Sequence, residues 1–339
     1  MTIIHVRPCL DRDKMALQGF GADSEWQGAA GTTNDVGLAV ALGCGHASFR
    51  ARIGIVNTRR LACHTVVLGA LVLAITTADA QQGPARAQGK LEASYAVTLA
   101  GLSVGHGSWV IDIGEDRFST NASGATAGIL RVFAGGRGQS AARGAVSGGH
   151  LVSSTYASSI QTDKKYDEVH IAISAGTVKE FSAEPPNTPD PSRVPLTEAH
   201  RRGVSDPMTA SLIRVPGNGE VVAPQACQRT LSIFDGRMRY DLALSFKRFE
   251  TVRSQAGYEG PVVVCAVRFS PIAGYVPSRY ALKYIAELRD MEMWLAPISG
   301  TRIMAPYRVS VPTPIGVGVL QATQFVSSAQ PGRTTAKTQ

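Results

Sequence analysis

The sequence predicts an all-β protein: a single strongly curved, mainly antiparallel sheet or half-open β-barrel of meander topology, with one or two short helices. Roughly a dozen short runs alternate between apolar and polar residues, which is the period of half-buried strands. Helical patterns are few, and strands that follow one another in sequence usually pair with each other. Because 44% of the residues are hydrophobic, the chain is not disordered as a whole.

The alternating runs fall into two groups, each interrupted by Gly, Asp and Pro at the expected turns. The first group predicts strands at residues 91–99, 108–113, 117–124, 151–161, 168–174 and 178–183. The second group predicts strands at residues 230–234, 238–250, 262–269, 280–289, 292–296, 302–311 and 317–325.

The segment between the two groups has its own local signals. Residues 184–195 contain five prolines, which predicts an irregular crossing and not the interior of a sheet. Asp206 and Pro207 are typical of the N-cap and first residue of a helix, here a short one ending near residue 214. Asp235 and Gly236, placed between two alternating runs, predict a hairpin turn.

We expect a single β-rich domain over residues 91–326, with a division near 184–203 as the alternative. A linker at 81–90 would precede this domain. The polar segment 327–339 would form a disordered tail.

Upstream of the linker, residues 59–80 have the organisation of a signal peptide. A pair of arginines precedes a short apolar core, and Ala78 and Ala80 form a small-x-small site with cleavage before Gln81. A membrane span would need roughly 20 apolar residues, so cleavage and a periplasmic product without a stable transmembrane anchor are expected. The alternative is an inner-membrane anchor at 61–77. Residues 1–58 are expected to be an unstructured extension, consistent with an assigned start that lies too early.

The cysteine count agrees with export. Cleavage after Ala80 would leave two of the five cysteines, Cys227 and Cys265. An even number of cysteines in an exported protein predicts a disulfide between them. Two buried free thiols are the alternative, and two cysteines alone are too few ligands for a metal site.

The net charge is positive, but the basic residues are scattered. The chain carries 34 Lys and Arg against 26 Asp and Glu, a formal charge of +8. Without a run of like charges, a nucleic-acid partner is not expected. A basic surface favours an anionic lipid or glycan instead.

The best candidate for ligand binding follows the predicted hairpin turn. Arg237, Arg239 and Asp241 alternate with apolar residues, so their side chains should share one face of the sheet. On a solvent-facing surface they would form a salt-bridge ladder of little energetic value. On a ligand-facing surface Arg237 and Arg239, with Tyr240 beside them, would bind a phosphate or carboxylate.

No catalytic residue, metal ligand or cofactor site is predicted. After the signal, no G-x-S-x-G turn stands between a strand and a helix, as serine hydrolases require, and there is no H-E-x-x-H pair. The glycine-rich stretch 135–138 lacks the Lys and Ser or Thr of a phosphate-binding loop and is expected to be a flexible hairpin. The aromatic residues of the C-terminal half, Trp294 and Tyr307 among them, are expected to pack in the core.

Five segments stand in a fixed order along the chain: Tyr95–Gly105, Val204–Ala210, Phe234–Leu242, Pro271–Tyr275 and Pro312–Gly316. Together they resemble a family of exported bacterial proteins catalogued as domain of unknown function 3108. The resemblance spans about residues 91–326. It implies an envelope location and a curved β-sheet fold similar to lipoprotein-carrier half-barrels. It implies no established reaction, so no catalytic residue is carried over.

These observations favour a non-enzymatic envelope protein that binds a lipophilic or amphipathic component on a curved sheet. Two alternatives remain open at this level. One is an envelope hydrolase that acts on glycan or ester bonds, and the other is a structural module that joins an envelope protein partner through its sheet edges.

Overall fold

The computed structural model describes residues 88–128, 135–187 and 189–330. The first seven strands are β1 Gly89–Leu99, β2 Leu102–Ile113, β3 Arg117–Thr126, β4 Gly136–Ser147, β5 His150–Thr162, β6 Tyr166–Ser174 and β7 Thr177–Glu184. The later strands are β8 Ile213–Arg214, β9 Arg229–Phe234, β10 Arg239–Arg253, β11 Ala256–Gly257, β12 Glu259–Ala273, β13 Met291–Pro297, β14 Ile303–Thr313 and β15 Gly316–Ala329.

Helices are short and few among the described residues. The α-helices are α1, Pro207–Ala210, and α2, Tyr280–Glu287. Single 3-10 turns occupy Glu198–Arg201 and Pro224–Cys227.

All of these strands belong to one sheet, whose main path runs β7-β6-β5-β4-β3-β2-β1-β15-β14-β13-β12-β10-β9. Neighbours along this path are antiparallel, and the short β11 pairs in parallel with β15. The first seven strands form a meander, and the pairing of β1 with β15 joins it to the C-terminal strands. The predicted fold class, an all-β protein with one mainly antiparallel sheet and short helices, is confirmed.

The two end strands of the path, β7 and β9, approach each other without pairing directly. Residues 202–205 lie between them and form one bridge to the start of β7 and another to β9. Val204 N–H donates to the Gly176 carbonyl at 3.0 Å, and Ser205 N–H donates to the Ser232 carbonyl at 2.9 Å. The sheet therefore curves until its edges meet, and this segment satisfies edge groups that would otherwise be unpaired. We call this segment, together with the β9–β10 turn, the seam.

Alternation along the strands buries one side chain in two and builds several apolar clusters. The largest joins β1–β3 to β12–β15 and includes Leu91, Ile111, Trp294 and Phe325. A second covers the other face of β10 and β12–β14, beneath the segment that holds β8 and the Pro224–Cys227 turn. A third packs β4–β6 against Phe234 at the seam. Because successive residues of β12 enter different clusters, both faces of this strand are buried.

Four expectations from the sequence are wrong in detail. The helix that begins at Pro207 ends at Ala210 and not near residue 214, where β8 forms instead. Residues 280–289 form helix α2 and not a strand, since Tyr280 stacks on Tyr284 four residues later and Ile285 and Leu288 both pack on the second cluster. The stretch 135–138 is not a flexible hairpin, because β4 begins at Gly136. The sheet also extends beyond its expected ends, to Gly89 in the expected linker and to Ala329 in the expected tail.

Candidate functional site

Arg237, the first predicted ligand-binding residue, lies in the β9–β10 turn and not in a strand. Its guanidinium donates to the Pro185 carbonyl at 2.7 Å, to Asn187 Oδ1 at 2.9 Å and to Asp167 Oδ2 at 3.1 Å. Asn187 Nδ2 in turn donates to the Gly236 carbonyl at 3.1 Å. These contacts tie the turn to β6 and to the loop after β7, so the side chain joins the two edges of the sheet.

The other two predicted ligand-binding residues also have structural surroundings. Arg239 pairs with Asp241 at 2.7 Å, and only 12% of its side chain is exposed. Tyr240 packs with Ala210 and Ile233, and burial raises the pKa of its hydroxyl well above the ordinary value. A ligand-binding role for Arg237, Arg239 and Tyr240 stays a prediction, and these residues do not line the three best-formed clefts of the described residues.

The predicted turn residues, Asp235 and Gly236, complete the seam. Asp235 Oδ1 accepts the N–H groups of Arg237 and Met238 at 2.8 and 2.6 Å, while burial raises the pKa of this carboxyl. Gly236 has a φ of +88°, and a Cβ there would lie 2.3 Å from a methyl group of Val169. Only glycine fits this approach of the turn to β6.

Asp206 is fully buried at the N-terminus of α1, where Pro207 is the first helical residue. Its Oδ1 accepts the N–H groups of Met208 and Thr209, both at 2.9 Å, and its Oδ2 accepts the hydroxyl of Ser153 from β5. One carboxylate thus caps the helix and attaches it to the sheet.

The predicted disulfide is confirmed. Cys227 and Cys265 are bonded, with their Cα atoms 5.3 Å apart, and both are inaccessible to solvent. The bond attaches the Pro224–Cys227 turn to the centre of β12 within the second apolar cluster.

A different group of charged residues surrounds a cleft of about 680 Å³ beside the β1–β2 and β14–β15 turns. We call it the cationic cleft. It is lined by Thr98, Ala100, Gly101, Arg248, Glu250, Glu292, Trp294, Arg308, Ser310, Val317 and Val319. Strand register aligns these side chains, since Arg248 is opposite Val264, Val264 opposite Trp294, and Trp294 opposite Arg308.

Both carboxylates of the cleft are held by cations. Arg248 donates to the two oxygens of Glu292 at 2.9 and 3.0 Å and to Glu250 Oε1 at 2.6 Å. Lys247 also pairs with Glu292. These two cations lower the pKa of the Glu292 carboxyl to about 2, and the hydrogen-bonded Arg248 has the larger effect. Glu292 is therefore ionised near neutral pH.

Trp294 lies between the two arginines of the cleft. Its indole N–H donates to Glu250 Oε2 at 2.7 Å, which fixes the ring plane. The guanidinium carbons of Arg308 and Arg248 lie 4.7 and 5.5 Å from the ring centroid, within the range of cation–π contacts. Among the described residues, the Arg308 guanidinium has no ion pair and no hydrogen-bond partner, and its Nε is buried.

Two arginines, Arg248 and Arg308, balance the two carboxylates of the lining, and Lys247, which pairs with Glu292 from outside the lining, brings the sum to one positive charge. Arg308 carries the charge that no carboxylate neutralises. The lining adds the hydroxyls of Thr98 and Ser310 and the apolar surface of Val317 and Val319.

Sequence reasoning did not identify this site. It placed Trp294 in the core, which agrees with its 4% exposure but misses its contact with two arginines. A local signal exists, because Arg248 and Glu250 alternate on β10 and Glu292 and Trp294 alternate on β13. These pairs are more than 40 residues apart, and only strand register brings them together.

Within the described ranges, no group of three or more His, Cys, Asp and Glu side chains could hold a metal ion. No helix there is long and apolar enough to cross a membrane. The predicted signal residues Ala78, Ala80 and Gln81 and the alternative anchor at 61–77 lie outside those ranges.

The fold and the site define a β-sheet protein with a disulfide, a closed seam and a cationic, aromatic cleft. The chain belongs to the family described as Protein of unknown function (DUF3108), whose family model matches residues 94–323. One similar solved structure is a β-barrel-like protein of domain of unknown function DUF1849 from Brucella abortus. It has 9% sequence identity and a TM-score of 0.40, over 72% of this chain and 99% of that one. No curated protein sequence matches the chain.

Proposed function

We propose that this protein is a non-enzymatic binder of an amphipathic molecule with an anionic head group, exported to the cell envelope. The observation that carries the proposal is the Arg308 guanidinium, which stacks on Trp294 in the cationic cleft and has no carboxylate partner among the described residues. An arginine held in this way presents its donors to a phosphate or carboxylate group.

The rest of the cleft fits the same ligand chemistry. The hydroxyls of Ser310 and Thr98 can donate to the oxygens of an anionic head group beside Arg308. Val317 and Val319 offer apolar surface to the adjoining chain, and about 680 Å³ is a usual size for a small-molecule site. The ligand would thus gain both charge neutralisation and burial of apolar surface.

The charge state of the carboxylates argues against a hydrolase in this cleft. A glycosidase of the usual kind needs one carboxyl group whose pKa is raised, so that it can donate a proton. The pKa of Glu292 is instead lowered to about 2 by Arg248 and Lys247. The two carboxylate oxygens of Glu250 accept hydrogen bonds from Arg248 and from the indole N–H of Trp294.

Export is the second part of the proposal. The predicted signal at 59–80 supports it, and so does the bond between the two cysteines that would remain after cleavage, since disulfides persist in oxidising compartments. Intact-mass measurement of the protein from its own cells tests this part. We expect a chain that begins at Gln81 in the periplasmic fraction, whereas an uncleaved chain in the cytoplasm would overturn export.

Calorimetric titration tests the ligand class. The probes are dodecanoate and dodecyl phosphate, which are anionic, and dodecan-1-ol, which is neutral, each used below its micellar concentration. We expect saturable one-to-one binding of the anionic probes and much weaker binding of the alcohol. Arg308→Gln should weaken binding of the anionic probes by about ten-fold or more, because it removes the uncompensated charge.

The matched control is Arg117→Gln, which alters an arginine on β3 that is exposed and far from the cleft lining. This variant should bind the probes as the wild type does. Equal binding of dodecan-1-ol and dodecanoate, or unchanged binding by Arg308→Gln, would show that the anionic head group is not recognised here. Absence of binding for every probe would overturn the proposed function.

A further inference from the structure

We infer that the paired tips of the β1–β2 and β14–β15 hairpins dock the protein on the surface of an anionic lipid bilayer. The tips comprise the turns Leu99–Leu102 and Thr313–Val317. The inference extends the proposed function, because it assigns a source for the amphipathic ligand. Its apolar contacts are made by Leu102 and Ile315, which do not line the cationic cleft, while Arg308 adds only to the preference for anionic lipid.

Both tips expose large apolar side chains. Leu102 is 64% exposed, Ile315 is 72% exposed and Val317 is 44% exposed. The first and last segments that carry the family resemblance, Tyr95–Gly105 and Pro312–Gly316, meet at this point. Transfer of exposed aliphatic side chains such as these from water into an apolar environment is favourable.

The two tips form one rigid unit. Ala100 N–H donates to the Val317 carbonyl at 3.0 Å, which joins the turns through their backbones. A Cβ on Gly316 would lie 2.6 Å from the Cβ of Ala100, so the turns are in close contact. An apolar surface held in this way loses little conformational entropy when it is buried.

The charge distribution favours an anionic bilayer. Neither residues 98–105 nor residues 309–320 contain a charged side chain, so nothing on the tips opposes entry into the interface. Arg308, which directly precedes residues 309–320, carries the unneutralised charge of the cleft. Apolar tips with a cation behind them match an interface in which acyl chains lie beneath anionic head groups.

The position of the cleft supports a lipid surface over a protein partner. Ala100, Gly101 and Val317 belong to the tips and also line the cationic cleft, so docking would place the cleft beside the head groups. The apolar surface of the tips rests on three side chains, whereas a stable protein interface involves about 20–30 residues a side.

Vesicle flotation tests the inference, with the protein as isolated from its cells and vesicles of phosphatidylcholine with and without one quarter phosphatidylglycerol. We expect binding to the anionic vesicles. The double variant Leu102→Ser and Ile315→Ser should bind the anionic vesicles at least about ten-fold more weakly than the wild type, because its tips have lost their apolar side chains. If the double variant does not fold, the single variants Leu102→Ser and Ile315→Ser replace it in the test. Each should lose part of the binding to anionic vesicles.

The matched control is Val110→Ser with Val326→Ser, which removes two partly exposed apolar side chains from other places on the sheet. Its vesicle binding should remain. The tip variant should still bind dodecanoate, and Arg308→Gln should keep most of its vesicle binding, so failure of the docking surface is distinguishable from failure of the cleft.

Three results would overturn the inference. The first is wild-type protein that does not bind anionic vesicles. The second is a tip variant, double or single, that binds them as strongly as the wild type. The third is a wild-type dimer, seen by sedimentation, that Leu102→Ser with Ile315→Ser dissociates, because a second copy of the chain would then cover the tips.

Discussion

Arg237 at the seam and Arg308 at the cationic cleft are both arginines set beside apolar clusters, yet their guanidinium groups have opposite surroundings. Arg237 donates three hydrogen bonds, to Pro185, Asn187 and Asp167. Arg308 stacks on Trp294 and has no hydrogen-bond partner among the described residues. The first arginine is used to hold the sheet together, whereas the second remains free to meet a ligand.

The comparison explains why the segments that carry the family resemblance did not predict the cationic cleft. Two of the segments that carry the family resemblance, Val204–Ala210 and Phe234–Leu242, contribute to the seam and to the elements that adjoin it. Their polar residues serve caps, turns and edge contacts, which any chain needs where the ends of a curved sheet meet. The cationic cleft instead lies where β10, β13 and β14 happen to align single charged residues.

The largest effect is expected next to the seam, at the start of α1, from Asp206→Ala. The change leaves two backbone N–H groups and the Ser153 hydroxyl without their buried acceptor, so we expect the free energy of unfolding to fall by about 3 kcal/mol. Urea unfolding measures this loss. Asp206→Asn is the matched control and should cost about 1 kcal/mol, since asparagine also caps helices well. Equal losses in both variants would mean that capping is not what this carboxylate contributes.

Arg237→Met should lower the free energy of unfolding by about 2 kcal/mol, because three hydrogen bonds between the turn and the other sheet edge disappear. Hydrogen exchange should locate the loss, with faster exchange of the Val204 and Ser205 amides. Arg117→Met, at an exposed position, should leave stability within about 0.5 kcal/mol. If Arg237→Met behaves like this control, the seam does not depend on its arginine.

A smaller effect is expected in the cleft as the pH falls. Arg248 and Lys247 lower the pKa of Glu292 in the folded protein to about 2, below its ordinary value of 4.5. The ionised carboxylate therefore stabilises the fold above pH 4.5, and this contribution is lost as the pH falls from 4.5 through 2. Unfolding measured across that range should show a shallower decline for Glu292→Gln than for the wild type. Identical curves would contradict the ion pairing at this position.

The smallest change in stability is expected from Arg308→Gln. This side chain forms no ion pair or hydrogen bond among the described residues and loses only its cation–π contact with Trp294, so we expect a change within about 1 kcal/mol. Thermal unfolding with and without dodecanoate measures it: the wild type should gain stability from the probe and the variant should not. A loss above about 1.5 kcal/mol without the probe would place Arg308 among the structural arginines.

Much of the fold could be predicted because its signals are local. Alternation identified most strands, and the Asp206–Pro207 and Asp235–Gly236 pairs mark a cap and a turn that depend on their immediate neighbours. Residues 280–289 were mistaken for a strand because their apolar content alone suits either element. The four-residue spacing of Tyr280 and Tyr284, which fits the helix, was the better signal.

The candidate site could not be predicted, because its members are distant in sequence. Arg248 lies 44 residues from Glu292, and Arg237 lies 70 residues from Asp167. Nothing local distinguishes an arginine that will find a carboxylate from one that will not. A shift of one residue in the register of β13 would turn Trp294 to the opposite face of the sheet.

The sequence by itself determined the strand pattern, the two local motifs, the family and the pair of cysteines that form the disulfide, because alternation, caps, turns and cysteine counts are properties of short segments or of composition. Only the tertiary structure decided that Arg237 binds the opposite sheet edge while Arg308 stays unpaired on Trp294. The reason is that the partner of a side chain is chosen by strand register and sheet closure, which bring together residues that the sequence keeps far apart.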